Sequence, residues 1–174
     1  DHTTITCTAA AGTGKDVVVT LDGLSSATGG SEFSYNIPTV TSASKVDTSG
    51  GTVTIVGTNF GTAAATVTLG GVPCGSVAYT TDHTTITCTA AAGTGGGKDV
   101  VVTQDSQVST TGASKFSYNL PTVTSATLVD TDGGTVTIVG TSFGTTGATV
   151  TLGGVACGSV AYTTDHTTIT CTAA

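Results

Sequence analysis

The chain repeats itself, at a period too long for a solenoid. The string DHTTITCTAA starts at Asp1, returns at Asp82 and returns again at Asp165, at offsets of 81 and then 83 residues. The discrepancy lies in one loop, where GTGK at 12–15 answers GTGGGK at 93–98. Beyond that loop the displacement is a constant 83, as Lys15 and Lys98, Phe33 and Phe116, and Tyr35 and Tyr118 show. Residues 38–91 and 121–174 are identical at 47 of 54 positions. Solenoid units span about 20 to 50 residues and cannot bury a core alone, whereas a unit of 83 residues can be a small domain. The expected organisation is the C-terminal part of one unit at 1–37, a complete unit at 38–120 and the N-terminal part of a third at 121–174. Half a β domain exposes strand edges and core, so the sequence reads as a stretch of a longer array.

Composition selects the class of unit. Thr and Ser, 43 and 15 residues, make up a third of the chain, with 25 Gly besides; there are four Lys, one Glu, and no Arg, Met or Trp. Thr and Val favour strands, and the good helix formers are nearly missing, so the fold class is all-β. A net charge of −7 without a single Arg excludes the basic face that nucleic acid demands. No run of 18 apolar residues occurs, so no helical membrane span is expected here.

Alternation locates the strands. Thr39 to Ser42 precedes a turn at Ser49-Gly50-Gly51; TVTIVG then turns Val53 and Ile55 to one face and Thr52 and Thr54 to the other. Val67 and Leu69, Val77 and Tyr79, and Ile86 and Cys88 make further inward pairs, followed by a VVV strand at 100–102 and by Phe116 and Tyr118 in FSY. Short strands with turns every 8 to 12 residues indicate a two-sheet sandwich. Its expected core is Val53, Ile55, Val67, Leu69, Val77, Ile86, Val100, Val102 and Phe116.

Cys74 and Cys88 are 14 apart in the complete unit, as are Cys157 and Cys171 in the third; Cys7 matches Cys88, and its partner would fall seven residues before Asp1. One pair per small unit, without CxxC or Cys/His clusters, points to a structural disulfide and an oxidising, extracellular compartment. Such a loop contributes about 3 kcal/mol in the chain-entropy model.

Catalysis and metal binding find little support. His2, His83 and His166 occupy one equivalent position, between Asp and Thr-Thr, and read as part of a polar turn; no acid, oxyanion donor or cofactor motif accompanies them. Asp130 and Asp132 resemble the start of a calcium loop, but the complete unit has Asp47 and Ser49 there and no bidentate Glu follows. GTGGGK at 93–98 lacks P-loop spacing and is expected to be a hairpin loop of variable length. The expectation is a non-enzyme without cofactor or metal.

The order PTVTSA, GGTVTIVGTNFG, VTLGGVPCGSV, TTITCTAA, KDVVVT and FSYN resembles the IPT/TIG domain, an immunoglobulin-like module of plexins, growth-factor receptors, some transcription factors and microbial surface proteins. The resemblance covers all three units in phase. It implies tandem immunoglobulin-like sandwiches stacked end to end, and leaves activity open, since these domains serve as binding modules, dimerisation modules and spacers. One departure is Ala90-Ala91-Ala92-Gly93, where members often carry Pro; a looser loop is expected there.

Two further features bear on function. Thr52, Thr54, Thr66, Thr68, Thr85, Thr87 and Thr89 face outward where charged residues are usual, no N-x-S/T sequon exists, and charged residues are only 9% of the chain. Strand propensity alone favours outward Thr; a charge-poor surface also calls for another source of hydration, and O-linked glycan supplies one. Turns and strand ends give sugars most room, so Thr62, Thr81, Thr84, Thr145, Thr164 and Thr167 are the candidate sites. The second feature is the connection: FSYNIPTV at 33–40 and FSYNLPTV at 116–123 pass between units through two residues and a Pro, without a flexible linker. Identical joints between near-identical units generate a rod or helix. The expected function is a structural segment of an extracellular fibril or stalk. Its partners are neighbouring repeats, parallel copies in the fibril and covalent glycans. The alternative is the stalk or binding module of a cell-surface adhesin or receptor.

Overall fold

The structure, a computed structural model, describes residues 3–12, 16–28, 33–112 and 114–173. Every regular element among them is a β-strand, as a Thr- and Val-rich chain poor in helix formers requires.

Residues 38–120 close into a two-sheet sandwich. One sheet runs in the order Thr39–Ala43, Gly51–Thr58, Thr85–Ala90, Gly75–Thr81, all antiparallel. The other runs Gln107–Val108, Lys98–Gln104, Thr66–Leu69, Val72–Pro73, with Lys115–Phe116 also paired to Lys98–Gln104. Side chains alternate across a strand, and burial follows: in Gly51–Thr58 the residues Val53, Ile55 and Gly57 point inward while Thr52, Thr54, Val56 and Thr58 are exposed. Val53, Ile55, Ile86, Val100, Val102 and Phe116 are enclosed, with Val67 and Leu69 nearly so. Val77 is only half-buried, because Gly75–Thr81 is an edge strand.

Periodicity does not reveal Phe60, which lies beyond the end of a strand and is as buried as any residue of the core. Gly57 makes its position possible. A Cβ there would meet the Thr39 carbonyl at 1.9 Å and the Phe60 ring at 2.5 Å, so the GTNF sequence is a packing device. The 93–98 loop departs from expectation: it crosses from one sheet to the other and is not a hairpin. Both edges of Thr85–Ala90 are already taken, by Gly51–Thr58 and Gly75–Thr81, so the next strand must leave that sheet.

Cys74 and Cys88 are bonded with Cα atoms 5.7 Å apart, and Cys157 and Cys171 with Cα atoms 5.8 Å apart. Cys74 sits where the chain passes from Val72–Pro73 to Gly75–Thr81, so the bond staples the two sheets together. Cys7 is exposed and bonded to no other described cysteine.

Residues 121–173 reproduce the first sheet as Thr122–Ala126, Gly134–Thr141, Thr168–Ala173, Gly158–Thr164, with pairings displaced by the repeat. Of the second sheet there is only the hairpin Thr151–Leu152 with Val155–Ala156. Residues 16–28 form an exposed hairpin, Thr20–Leu21 with Leu24–Ser25.

Truncating Phe60 to Ala should lower the stability of the closed unit by about 3–5 kcal/mol in denaturant unfolding, the cost of a large cavity in a dry core. Replacing Cys74 and Cys88 together by Ala should cost about 3 kcal/mol.

Candidate functional site at the joint between units

The joint is built from the last strand of one unit and two loops of the next. Phe116 packs edge-on against Tyr118, with ring centroids 5.0 Å apart, and the Tyr118 hydroxyl donates to the Ala91 carbonyl at 2.8 Å. Tyr118 bridges Val46 in parallel, and the Asn119 N–H donates to the Val46 carbonyl at 2.8 Å. The chain is therefore held up to Asn119, and only Leu120 and Pro121 remain before the next unit begins.

Side chains then lock the two units across that gap. The Asn119 amide donates to Asp47 Oδ1 at 2.7 Å, and the Ser142 hydroxyl of the next unit donates to the same oxygen at 3.0 Å. The Gly144 N–H donates to Thr48 Oγ1 at 3.2 Å, and His166 Nδ1 lies 2.9 Å from that hydroxyl. Thr48 and Ser142 are buried by the contact, at 3% and 4% exposure. Hydrogen bonds shielded from water hold orientation better than exposed ones. Asp47, itself exposed, accepts two hydrogen bonds, and its carboxyl is held below the usual carboxylate value of 3.8, first by Asn119 and then by Ser142.

The backbone on the receiving side is of a restricted kind. Ser142, Gly144 and His166 all have positive φ, at 59°, 77° and 66°, and a Cβ on Gly144 would come within 2.9 Å of Thr94. Their counterparts Asn59, Gly61 and His83 adopt the same conformation at 61°, 73° and 65°. Left-handed non-Gly residues are held at a cost and mark places the surrounding structure over-determines. The two loops brace each other: the Phe60 N–H donates to the His83 carbonyl at 3.0 Å and the His83 N–H to the Gly61 carbonyl at 2.8 Å. At this upstream end a cleft of about 450 Å³ is lined by Asn59, Gly61 and His83 together with Tyr35, Asn36 and Gln107. Gln107 donates to the Tyr35 carbonyl and Asn59 to the Ile37 carbonyl, both at 3.1 Å.

The sequence-derived candidates gather at the same end of each unit. Thr62 and Thr145 follow the Gly61 and Gly144 positions, while Thr81, Thr84, Thr164 and Thr167 flank the turns at His83 and His166; all are exposed except the half-buried Thr84. His83 and His166 lie in turns, and His166 is also a joint residue; His2 lies outside the described residues. Asp130 closes a tight turn, its carbonyl accepting the Gly133 N–H at 3.0 Å, and no group of three His, Cys, Asp or Glu gathers among the described residues. Outward Thr side chains stand opposite one another, Thr52 with Thr89 and Thr54 with Thr87. Asp47, Thr48, Ser142 and Gly144 are absent from the sequence-derived set. The recurrence of Asp47 as Asp130 was the available signal, but an Asp-Thr pair in a Gly-rich turn looks solvated until the neighbouring unit is in place.

The IPT/TIG domain family model matches residues 38–118 and 121–174, more than three quarters of the chain. Among solved structures, two crystals of the plexin A4 full extracellular region are similar. One has 18% identity over 84% of this chain and 13% of that one, with a TM-score of 0.44; the other has 22% over 79% and 15%, with a TM-score of 0.42. A crystal structure with xylogluco-oligosaccharide has 18% identity over 91% of this chain and 39% of that one, with a TM-score of 0.41. The chain thus spans well under half the length of each of these structures. A search of curated protein sequences finds no match.

Thr48→Val keeps the shape of the joint and removes its hydroxyl. It leaves the Gly144 N–H and His166 Nδ1 without their partner, so docking of the two units should weaken by about 1–3 kcal/mol while each unit stays folded. Broadened inter-unit distances between spin labels, with unchanged unfolding of residues 38–120, would report this. Asp47 adds a pH dependence. A lowered carboxyl pKa means that its contribution is complete above the ordinary value of 3.8, declines below it and is gone once pH passes the depressed value. Inter-unit order should be constant from neutral pH to about 5 and fall only in stronger acid, a dependence that Asp47→Asn removes.

Proposed function

This chain belongs to the IPT/TIG domain family, and from that premise we propose that it is a structural segment of an extracellular fibril or stalk, built from rigidly stacked sandwiches and O-glycosylated on Thr and Ser. The observation that carries the reading is the joint. A two-residue connector leaves little rotational freedom, and three buried or part-buried polar contacts from Asp47 and Thr48 to the next unit remove more of it. Repeating one fixed transformation produces a screw axis, hence a rod or helix, as symmetry requires of any head-to-tail contact that does not close. Two structural disulfides favour an oxidising compartment outside the cytosol.

The glycan part rests on surface chemistry. The chain carries 11 acidic and 4 basic side chains, few charges in all, with paired Thr side chains on its sheets. A surface of that kind, if bare, invites sheet-to-sheet association. Sugars at Thr62, Thr81, Thr84 and their counterparts Thr145, Thr164 and Thr167 would form a collar at each joint, where loops leave room. The second reading, a stalk or binding module of a cell-surface adhesin or receptor, is favoured by the family itself, whose members include receptor ectodomains. The two readings share the rigid joint and differ in whether recognition occurs along the array or at another domain.

Inserting four Gly-Ser residues between Asn119 and Leu120 should leave the units folded and abolish their fixed orientation, read as loss of the extended scattering profile in solution. An unchanged profile would refute the rigid-joint reading. Intact-mass measurement of the native protein should exceed the polypeptide mass of 16.7 kDa per 174 residues by whole sugar units; a match to the bare mass removes the glycan. Protein made without glycosylation should fold and associate laterally.

A further inference from the structure

We propose that the 93–98 loop is the spacer of the joint and that its length sets the angle between a unit and the next, an addition that rests on the rigid joint of the preceding reading. In the sequence this loop is where two units differ in length, GTGGGK at 93–98 against GTGK at 12–15. For the shorter loop, whose residues 13–15 lie outside the described residues, the length alone matters. The flanks of the two loops are alike. Each joins a CTAA segment to a KDVVV segment, and the Tyr35 hydroxyl donates to the Ala10 carbonyl as the Tyr118 hydroxyl donates to that of Ala91.

The longer loop stands at the joint. Its first residue is tied to the docking loop, the Gly93 N–H donating to the Thr48 carbonyl at 2.9 Å. Its middle is tied to the last strand: the Gly95 carbonyl accepts the Tyr118 N–H at 3.0 Å, and the Gly97 N–H donates to Ser117 Oγ at 3.2 Å. Glycine permits this approach, since a Cβ on Gly96 would stand 2.7 Å from Ser117 Oγ. Between these ties Thr94 bears on the next unit, its methyl carbon 2.9 Å from where a Cβ on Gly144 would be. Gly144 is buried and its N–H donates to Thr48 Oγ1, so Thr48 and Thr94 of one unit hold the same residue of the next. The loop is thus braced from behind at three points and meets its neighbour at one, as a wedge does. Close-packed contacts compress little, so a change in loop length is taken up by rotation of one unit against the other.

Differences between units fall where a tuned joint requires them. Residues 38–91 and 121–174 differ at seven positions, and six of these lie in the stretches 44–49 and 59–64. The first stretch carries Thr48 toward the next unit and the second carries Asn59 toward the previous one. The seventh is Pro73 against Ala156. The strands Gly51–Thr58, Gly75–Thr81 and Thr85–Ala90 are identical in sequence to their counterparts. Thr48, Gly61 and His83 recur as Thr131, Gly144 and His166, so the docking contact is kept while its surroundings vary. Units with longer and shorter loops share one docking chemistry and differ in angle, and the order of loop lengths along an array sets its curvature.

The test uses the 174-residue chain with Cys7→Ser, so that spin labels attach only at Thr52→Cys and Thr135→Cys, two exposed and equivalent strand positions. The parent should give one narrow distance peak. Deleting Gly95 and Gly96, which turns the loop into GTGK, should move that peak by a few ångströms without broadening it, on the scale of the roughly 7 Å that two residues span at most. Thr94→Ala leaves the backbone ties of the loop in place and should move the peak in the same direction by less; it decides the question if the deletion unfolds residues 38–120. A narrow peak that the folded variants leave in place would overturn the proposal while the rigid joint stands. Broadening of a narrow parent peak would overturn it as well, since the loop would then hold the joint without setting its angle. A broad peak in the parent would overturn both the spacer and the rigid joint.

Discussion

Closure of the second sheet over the first is the contact on which everything else depends. Three residues, Val100, Val102 and Phe116, sit between the layers of the complete unit and are at most 1% exposed. The first sheet recurs in residues 121–173, where Gly134–Thr141 keeps both its neighbours and the disulfide joins Cys157 to Cys171. In the second layer, Thr66–Leu69 spans four residues beside Lys98–Gln104 and its counterpart Thr151–Leu152 two, as a strand takes its length from its partner as well as from its own alternation. Local propensity proposes the strand, and pairing with a sequence-distant segment fixes its extent.

The joint extends the same logic from layers to units. A short connector limits where the next unit can lie, and the Asp47-Thr48 loop selects one of the remaining orientations. Thr48 is instructive: its hydroxyl faces a backbone N–H and a histidine nitrogen of another unit, and its burial comes from that neighbour. An ordinary turn residue becomes an interface residue without any change in its own unit. The positive-φ loops that receive it are present at both upstream ends, so the receiving geometry belongs to the unit and precedes the contact.

Surface and core divide their tasks by period. Inward positions are mostly aliphatic and aromatic, outward ones are rich in hydroxyls, and charged residues are only 9% of the chain. The interior therefore carries stability, with the disulfide as a supplement in a unit too small to depend on burial alone. The exterior carries little electrostatic protection against its own kind. That imbalance is what makes hydroxyl-borne sugars physically reasonable for this chain.

The sequence alone determined the repeat, the all-β class, the strand phases and the greater part of the core, because these follow from periods of two and 83 that any reader can count. It also placed the cysteine pairs of two units at one spacing, and the connectors between units. Tertiary structure alone decided three things. Phe60 enters the core because Gly57 leaves a gap for its ring, a steric fit that no periodicity encodes. The 93–98 loop crosses between sheets because both edges of Thr85–Ala90 are occupied, which is a property of pairing and not of the loop. Asp47 and Thr48 become the joint because the next unit stands over them; polar side chains acquire a role from what lies opposite, and what lies opposite is 95 and more residues away along the chain.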